Sequence, residues 1–370
     1  MLLSNFMKKK ISVKYFYKLL VQFFFKKIYG KITYDPYQKK NNDIVIDKIN
    51  SQTIKKKKKF YQVYLLKKGR ICTDYVENVA IINNNKIVDN ASFQQINGEL
   101  KSAKFNSTIN KGTPYFKKKI NGNILCLTQG ASGHTNYFHW LFDILPKIKI
   151  FSEHYSLDEI NYFYLTILNN FQKTTLKLLK LDKIKIIDSN KYRHISANKI
   201  FAVDHPWYSQ GYILNEAKNL PVWIIHWLRD SFLNSANIFD NNEKIFIDRT
   251  DSQFNHCQLQ NNDEVSSFLE SKGFTTYKIS QLTFEQQIYL FKKAKIIIGV
   301  HGAGFANLTF CSPGAKVLEI KPLINPNYTS KTICEANDLD IKYIETPLIK
   351  NQKNIRGDIY LDLKELNKHL

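Results

Sequence analysis

The sequence predicts an α/β protein with two Rossmann-like domains and a small β-rich part near the N-terminus. From about residue 122 onwards, apolar runs of strand length alternate with helical stretches, a pattern typical of parallel sheets with right-handed crossovers. The chain has 370 residues, and at roughly 100–200 residues per domain this length indicates two domains. Hydrophobic residues make up 44% of the chain, which excludes a disordered protein.

Residues 1–60 form a lysine-rich lead. The most apolar stretch, Tyr15 to Tyr29, is interrupted by lysines, so it falls short of the roughly 20 mostly apolar residues of a membrane span. No small-residue cleavage site follows it, which argues against a signal peptide. Two alternatives stay open: a helix docked on the protein, or a basic apolar segment lying on an anionic membrane surface. The run Lys55–Lys59 predicts a solvated loop.

The first domain is predicted over residues 61–236. Short apolar stretches with Asn-rich turns, such as Val79–Ile82 followed by Asn83, indicate small β-hairpins up to about residue 120. The strands predicted after them are Asn123–Thr128, Tyr162–Leu168, Lys183–Asp188 and Lys199–Val203. The predicted helices are Tyr137–Phe151, Phe171–Leu181 and Ile213–Ser235, the last with a kink at Pro221.

The second domain is predicted over residues 243–370, after a polar linker at Asn237–Asn242. Its predicted strands are Lys244–Asp248, Thr275–Ile279, Lys295–Val300, Lys316–Ile320 and Ile341–Ile344. Its predicted helices are Asp263–Ser271, Phe284–Lys293, Phe305–Cys311 and Ser330–Asn337. Strands and helices alternate, so a parallel sheet is expected.

The most informative segment is Lys295–Ile320, which runs strand, glycine turn, helix, turn and strand. Glycines let the backbone approach a ligand, and the helix that follows offers free N–H groups to an anion. Ligands bind at the carboxyl ends of strands in open α/β sheets, so a nucleotide diphosphate is the expected ligand. The turn lacks the third glycine of the dinucleotide fingerprint and the Gly-Lys-Ser/Thr of a P-loop. The spacing alone therefore supports an anion site, and a merely connecting turn is the alternative.

Two separated groups of motifs resemble glycosyltransferase family 61, over roughly residues 120–345. The downstream motifs are Ile247-Asp248-Arg249, Gly273-Phe274, Phe284-Glu285-Gln286, His301 to Gly304, Pro313-Gly314 and Glu319. The upstream motif runs from Asn136 to Pro146 and opens a helix in the family. The resemblance implies two domains facing a cleft, the GT-B architecture, with the acceptor on the first domain and a nucleotide sugar on the second.

The function that the resemblance implies is sugar transfer. We expect an inverting transferase that moves a sugar from a nucleotide donor, a UDP-sugar, to a glycan or lipid-linked glycan acceptor in surface polysaccharide biosynthesis. No cofactor or metal is expected, because the family's fold resembles those that hold diphosphate with dipoles and basic side chains. The Asp-x-Asp sequence at Asp338–Asp340 lies far from the motifs and is interpreted as chance.

His139 and Asp143 are the candidate catalytic pair. They are four residues apart, so an α-helix places them on one face, and the apolar positions around them predict that this face lies out of the core. A positioned imidazole or carboxylate can take the proton of an acceptor hydroxyl. A structural His–Asp pair is the alternative. Both residues fall inside the family's motif, but the resemblance does not say which one is the base.

The candidate donor-binding residues are Arg249, His301, Gly302, Ala303, Gly304 and Glu319. A guanidinium holds phosphate oxygens bidentately, and Arg249 ends a strand in an arginine-poor chain. His301 is expected either to donate to phosphate or only to fix the turn. Glu319 ends a strand, where a carboxylate can accept from ribose hydroxyls. The alternatives are surface ion pairs, between Arg249 and a neighbouring Asp or between Glu319 and Lys321.

The chain departs from the family's pattern after the Arg249 strand. Relatives often carry a second basic residue and an Asn-Glu there, whereas this chain has Asn261-Asn262 and no second Arg, with His256 as a substitute. This departure motivates an alternative function, a catalytically inactive nucleotide- or glycan-binding protein on the same fold.

Charge and cysteine content limit the remaining possibilities. The net charge of +22 fits an AT-rich codon bias, or attraction to anionic lipids or a nucleotide-sugar donor. No zinc-finger, bZIP or RNA-recognition motif occurs, so nucleic acid is not an expected partner. Five scattered cysteines without a Cys-x-x-Cys argue against a disulfide framework and fit a reducing compartment. We expect a bacterial, cytoplasmic protein, with peripheral contact to the inner face of the membrane as the alternative.

Overall fold

The computed structural model of the chain describes residues 2–35, 43–55, 60–74, 78–92, 94–96, 99–128, 135–207, 211–212, 220–251, 256–349 and 356–370, with residues 2–12 as backbone only. Within these residues the protein has the predicted α/β character, and it divides into two compact units. Unit 1 comprises Met1–His134, Asp143–Ile167 and Ile184–Ile213. Unit 2 comprises Thr135–Phe142, Leu168–Lys183 and Leu214–Leu370.

The strands of unit 1 are β1 (Thr33–Tyr34), β2 (Ile44–Ile49), β3 (Tyr61–Leu66), β4 (Arg70–Thr73), β5 (Val79–Asn83), β6 (Lys86–Ile87), β7 (Gln94–Ile96), β8 (Glu99–Lys101), β9 (Lys118–Cys126), β10 (Tyr162–Leu165), β11 (Lys185–Asp188), β12 (His194–Val203) and β13 (Gly211–Tyr212). The strands of unit 2 are β14 (Lys244–Asp248), β15 (Thr275–Lys278), β16 (Ile296–Val300), β17 (Lys316–Pro322) and β18 (Asp340–Thr346).

The α-helices are α1 (Leu2–Tyr29), α2 (Thr108–Lys111), α3 (Tyr137–His139), α4 (Leu145–Ser152), α5 (Asn170–Leu178), α6 (Val222–Phe232), α7 (Asn262–Ser271), α8 (Phe284–Lys293), α9 (Thr329–Ala336) and α10 (Leu363–Asn367). A π-helical segment, Trp140–Ile144, joins α3 to α4. A 3₁₀-helix, Ala303–Phe310, follows β16.

Unit 1 contains a mixed sheet, in which ten strands of the described residues take part. Its main path runs β1-β6-β5-β4-β12-β9-β10-β11, and β3 pairs with both β12 and β2. The pairs β12·β9, β9·β10 and β10·β11 are parallel, whereas β12 is antiparallel to β3 and β4. The sheet is therefore not the all-parallel sheet of a Rossmann-like domain. The strands β4, β5 and β6 of the β-rich N-terminal part extend this same sheet.

Unit 2 contains a five-stranded parallel sheet in the order β15-β14-β16-β17-β18. Counted from β14, the order is 2-1-3-4-5, a doubly wound arrangement whose switch point lies between the first and third strands. The strands are buried, as in β14, where Ile245, Phe246 and Ile247 are at most 3% exposed. Such continuous apolar runs are typical of parallel strands covered on both faces.

Helix α8 shows how local sequence sets an element of unit 2. It begins with a capping box, in which Thr283 accepts from the backbone of Gln286 and Gln286 accepts from the backbone of Thr283. Phe284, Ile288 and Phe291 are buried on one face, at the spacing of an amphipathic helix. The Phe284-Glu285-Gln286 motif thus supplies a core side chain and a helix cap.

Three sequence predictions need correction or restriction. Pro221 does not kink a helix: it has extended dihedral angles (φ −69°, ψ 131°) and precedes α6, which begins at Val222, because Pro is tolerated at a helix start. The part of that prediction over residues 213–219 lies outside the described residues, as do Lys56–Lys59 of the lysine run. The predicted linker at residues 237–242 lies within unit 2, as does α6 before it.

Candidate active site

The sequence motifs of unit 2 converge at the switch point of its parallel sheet. Arg249 directly follows β14, and His301 directly follows the neighbouring strand β16. The backbone N–H of His301 still donates to the carbonyl of Ile320 on β17, over 2.8 Å. Both side chains therefore leave the sheet at the carboxyl edge, where doubly wound proteins bind ligands.

Arg249 lies against the glycine turn. Its Nη1 donates to the carbonyl of His256 over 3.1 Å and to the carbonyl of His301. A Cβ added at Gly302 would lie 2.6 Å from Cζ and Nε of Arg249. Gly302 has an extended backbone, with φ of 168°, so the close approach of the guanidinium and not backbone strain requires a glycine there.

Burial lowers the pKa of Arg249 from its ordinary value, and the guanidinium still carries its charge at neutral pH. A charge held beside a run of backbone N–H groups is suited to an anion. The geometry brings together Arg249, His301 and the Gly302–Gly304 backbone, as the sequence predicts.

His301 and Glu319 form a hydrogen-bonded pair. Nδ1 of His301 bonds Oε1 of Glu319, whose second oxygen accepts from the hydroxyl of Ser330. Glu319 is fully buried, and the His301 side chain is 18% exposed. An ionised carboxylate only accepts hydrogen bonds, so this partner places a proton on Nδ1 and leaves Nε2 as the ring atom that can meet a ligand.

The hydrogen bonds of Glu319 give it a supporting role beside His301. Both of its oxygens are engaged inside unit 2, by His301 and Ser330. A carboxylate in this position orients the imidazole, in the way that outer partners orient functional histidines. The alternative, a surface ion pair between Glu319 and Lys321, is excluded because both side chains are fully buried.

Lys321 is itself buried, two residues further along β17. Its Nζ donates to the carbonyl of Asn327 over 2.9 Å and lies 3.4 Å from the ring centroid of Tyr328. Burial lowers its pKa, while the charges of Glu319 and Glu345 act in the opposite direction. Lys321 thus adds a positive charge beneath the His301–Glu319 pair.

The upstream motif reaches the 3₁₀-helix of the downstream motif inside unit 2. The hydroxyl of Tyr137 donates to Oδ1 of Asn307 over 2.6 Å, across 170 positions of sequence. The amide of Asn307 in turn donates to Gln287 on α8 over 3.0 Å. Burial raises the pKa of Tyr137, so its hydroxyl remains a proton donor. The part of the upstream motif that lies in unit 2 therefore packs with the downstream motifs.

His139 ends the short helix α3. Asn136 caps this helix by accepting from the backbone N–H of His139 over 3.2 Å, and the imidazole lies edge-on to the ring of Phe138. The side chain is partly exposed, and it belongs to unit 2 together with Tyr137 and the glycine turn. Its position leaves it accessible to a ligand, as a base requires.

Asp143 lies in unit 1 and is fully buried. One oxygen accepts from the indole N–H of Trp207 over 2.5 Å, and the other lies 3.7 Å from Nε2 of the buried His205. The prediction that this residue looks out of the core is wrong. The spacing argument assumed an α-helix, but Trp140–Ile144 is π-helical, and a π-turn shifts the faces on which later residues lie.

A buried lysine completes the surroundings of Asp143. Lys147 is fully buried, donates to the carbonyl of Leu127 over 2.9 Å, and has its pKa lowered to about 8 by burial, with Asp143 opposing the shift. Buried charges persist where they are paired or hydrogen-bonded. The indole, the imidazole and this lysine together give Asp143 the environment of a structural carboxylate.

Comparison with family models identifies the part of the chain that carries these features. The model described as Glycosyltransferase 61 matches residues 137–318, from the Tyr137 that contacts Asn307 to the strand that bears Glu319. Residues 137–318 belong to glycosyltransferase family 61. Membership assigns the class of the enzyme, a glycosyltransferase with a sugar donor and a glycan acceptor. Comparison with curated proteins found no match for this chain.

Several residues that hold the family 61 motifs in place were not predicted from the sequence. Arg229 on α6 donates to the carbonyls of Thr309 and Cys311 over 2.8 and 2.6 Å, at the end of the 3₁₀-helix. Asn337 donates to Leu308 and Thr309 in the same place. The scarcity of arginine in the chain was a usable signal for Arg229, whereas nothing in the sequence marked Ser330 or Asn337.

The residues around the departure from the family pattern have structural contacts. Asn261 holds the C-terminal segment, because it accepts from the backbone N–H of Leu361 over 3.1 Å and donates to its carbonyl over 2.9 Å. Asn262 begins α7 and is buried. His256 contributes its backbone carbonyl to Arg249, whereas Phe254 and Asn255 lie outside the described residues.

Neither a metal site nor a membrane span is found among the described residues. No group of three or more His, Cys, Asp or Glu side chains in that part of the chain is arranged to hold a metal ion. No helix there combines the length and the apolar character needed to cross a bilayer. All five cysteines are free and buried.

Proposed function

We propose that this protein is an inverting glycosyltransferase that uses a UDP-sugar and extends a glycan or lipid-linked glycan in surface polysaccharide biosynthesis. The observation that carries the proposal is the meeting of Arg249 and the Gly302–Gly304 backbone at the switch point of the parallel sheet. A guanidinium beside the backbone at the start of a helix suits the diphosphate of a nucleotide sugar.

The chemistry proceeds as a single displacement. The acceptor hydroxyl oxygen forms a bond to the anomeric carbon on the face opposite the diphosphate, and the bond from that carbon to the phosphate oxygen breaks. The diphosphate leaves with the bonding electron pair, and Arg249 with the turn backbone stabilises its charge. A base takes the hydroxyl proton. Because one displacement occurs, the anomeric configuration inverts.

We propose His139 as that base. Its imidazole is partly exposed and lies in the same unit as the glycine turn, whereas Asp143 is fully buried and bonded to Trp207. A base must touch the hydroxyl that it deprotonates, and a carboxylate without exposure cannot do so. Asp143 then acts as an anchor of the helix.

His301 and Glu319 serve the leaving group in this proposal. Nε2 of His301 is the ring atom proposed to meet a phosphate oxygen, because Nδ1 is bonded to Glu319. The transferase is proposed to be metal-independent, with these basic and dipolar groups holding the diphosphate, and to work in the cytoplasm. A GT-B architecture is part of the proposal, and the doubly wound sheet of unit 2 supports its donor-binding half.

Isothermal titration of the full chain with UDP tests the donor site. Arg249→Ala is expected to weaken UDP binding by roughly tenfold to a hundredfold, the effect of about 1.5–3 kcal/mol from one charge-assisted contact. Arg193→Ala in unit 1 is the matched control and leaves the affinity unchanged. Absence of UDP binding at millimolar concentration, with other nucleotides also silent, contradicts the proposal.

Transfer and donor hydrolysis by the purified chain test the base. His139→Ala is expected to lower transfer by roughly 10²–10⁴ with UDP affinity nearly intact. The exposed His226 supplies the control His226→Ala. Asp143→Asn, with unfolding measured alongside, separates a role in stability from one in chemistry. UDP binding without turnover over a broad acceptor screen favours the alternative, an inactive binding protein on this fold.

A further inference from the structure

Helix α1 presents an unusual exposed apolar surface. Its last turn packs on unit 1, where Phe25 is 6% exposed and its ring lies 5.0 Å from Phe116 and 5.8 Å from Tyr29. Most large apolar side chains described in the rest of the helix, and Ile28 in the last turn, are exposed, with values from 44% to 69%. These are Val13, Tyr15, Phe16, Tyr17, Leu19, Leu20, Phe23, Phe24 and Ile28.

Four of the exposed side chains share one face of the helix. Phe16, Leu20, Phe23 and Phe24 follow one another at i, i+4, i+7 and i+8, the spacing of a single helical stripe. Phe25 lies on the docked side. The apolar stripe therefore points away from the part of unit 1 to which the helix is attached, and monomeric proteins rarely expose such a patch without a function.

The charge of this segment is entirely positive. Its first 34 residues include eight lysines and no Asp or Glu, since the first acidic residue is Asp35. Lys27 places its Nζ 5.5 Å above the ring of Phe23, the arrangement of a lysine whose stem covers apolar surface while its charge stays in water. An apolar stripe with lysines beside it is complementary to a surface whose interior is apolar and whose outer layer is negatively charged.

We propose that α1 binds the surface of an anionic lipid bilayer, with Phe16, Leu20, Phe23 and Phe24 inserted at the level of the acyl boundary and the lysines at the headgroups. A second copy of α1 fits the face poorly, because it brings the same lysines and no acidic residue to meet them. The helix lies on the bilayer and does not cross it, in accord with its lysine content. This inference does not depend on the proposed transferase activity.

Vesicle co-sedimentation of the full chain tests the proposal. We expect binding to phosphatidylglycerol–phosphatidylcholine vesicles, weaker binding to phosphatidylcholine alone, and loss of affinity as salt rises. Phe16→Gln/Leu20→Gln/Phe24→Gln is expected to lower the affinity at least about tenfold. Lys14→Gln/Lys18→Gln/Lys27→Gln is expected to lower it by about fivefold per lysine for anionic vesicles only.

The matched control is Phe105→Gln/Ile167→Gln/Ile238→Gln, which removes apolar side chains of similar exposure outside α1 and is expected to leave binding unchanged. Circular dichroism and thermal unfolding confirm that each variant is folded. Equal binding of the α1 variants and the control, or no binding to anionic vesicles at low salt, overturns the proposal. So does a dimer in sedimentation velocity that the apolar α1 variant abolishes while vesicle binding persists. UDP titration of the same variants reports separately on the transferase.

Discussion

Single residues show how the turn is held ready for an anion. Glu319 is a buried carboxyl group of unit 2 whose two oxygens bond His301 and Ser330. Such a carboxylate is stable only while both of its partners remain, and each partner left unbonded in the interior costs about 1–3 kcal/mol. The pair is therefore as much a part of the fold as of the site.

Glu319→Ala is expected to lower the free energy of unfolding by about 2–4 kcal/mol, because it strands both Nδ1 of His301 and the hydroxyl of Ser330. Glu319→Gln is expected to cost less, since an amide can accept from the imidazole and donate to the hydroxyl. Urea denaturation of the two variants measures the difference. Equal losses show that the charge of Glu319, and not its hydrogen bonds, is what the fold requires.

Gly302→Ala is expected to displace Arg249, because the added Cβ lies 2.6 Å from the guanidinium carbon. UDP affinity then falls by roughly tenfold or more while the fold persists. Gly304→Ala is the matched comparison: its added Cβ meets Ile247 and Ile279 at 3.8 and 3.9 Å, an ordinary contact, so a smaller effect is expected. Titration with UDP measures both, and a larger loss in Gly304→Ala contradicts the role given to Gly302.

At this scale the sequence predicts residue types better than their partners. Arg249, His301 and the two glycines come together as expected, because they follow neighbouring strands of a regular parallel sheet. The partners of Glu319 and Asp143 were not predictable: Ser330 and Trp207 reach them from other elements, and only the tertiary fold sets such contacts.

At the scale of elements, the 3₁₀-helix Ala303–Phe310 connects the site to its surroundings. The side-chain oxygen of its Asn307 accepts a hydrogen bond from the hydroxyl of Tyr137, and Arg229 and Asn337 donate to the carbonyls at its end. A 3₁₀-helix has weaker internal hydrogen bonds than an α-helix, so these external donors are expected to determine its stability.

Arg229→Met is expected to lower the free energy of unfolding by about 1.5–3 kcal/mol, because it leaves the carbonyls of Thr309 and Cys311 without their charged donor. Arg229→Lys restores a positive charge but not the rigid fork, so an intermediate loss is expected. Chemical denaturation gives both values. A Met variant as stable as the unmodified chain excludes this capping role.

Elements of unit 2 were predicted closely because each is a contiguous apolar run or stripe. Helix α8 has the predicted bounds, Phe284–Lys293, and β14 the predicted bounds, Lys244–Asp248. Unit 1 was predicted less well. Its strand β12 pairs with β3 and with β9, which lie far from it in sequence, and pairing between such distant strands leaves no local sequence pattern. The π-helical turn at Trp140–Ile144 likewise has no signal in the spacing of apolar residues.

At the scale of the whole molecule, the division of the chain into two units follows from contacts between distant residues and not from changes in local composition. Residues 135–142 and 168–183 belong to unit 2, where Tyr137 bonds Asn307 and Trp140 donates to Thr175. A polar stretch such as residues 237–242 suggests a linker from sequence, but discontinuous membership of this kind cannot be recognised without the long-range contacts.

The acid sensitivity of the molecule is expected to be concentrated in unit 1, through His194. This fully buried imidazole donates from Nδ1 to the carbonyl of Tyr115 over 3.0 Å, and its Nε2 faces the guanidinium of Arg70 at 3.4 Å. Burial lowers its pKa to about 4, with the charges of Arg70 and Lys117 acting in the same direction. The folded protein therefore holds His194 neutral.

Because the unfolded chain binds this proton at a pKa near 6.5 and the folded chain only near 4, stability is full above about pH 6.5 and is lost as the pH falls towards 4. One pH unit below 6.5 the loss is about 1.4 kcal/mol. Hydrogen exchange at pH 7.5 and 5.5, corrected for intrinsic rates, should show reduced protection of β4 and β12 at the lower pH, with β14 and β16 unaffected. His194→Gln lowers stability at both pH values and removes the difference between them, whereas His226→Gln, an exposed histidine of unit 2, leaves the difference in place. A pH effect of equal size in the two units, or one that survives in His194→Gln, would show that carboxylates and not this imidazole govern acid sensitivity.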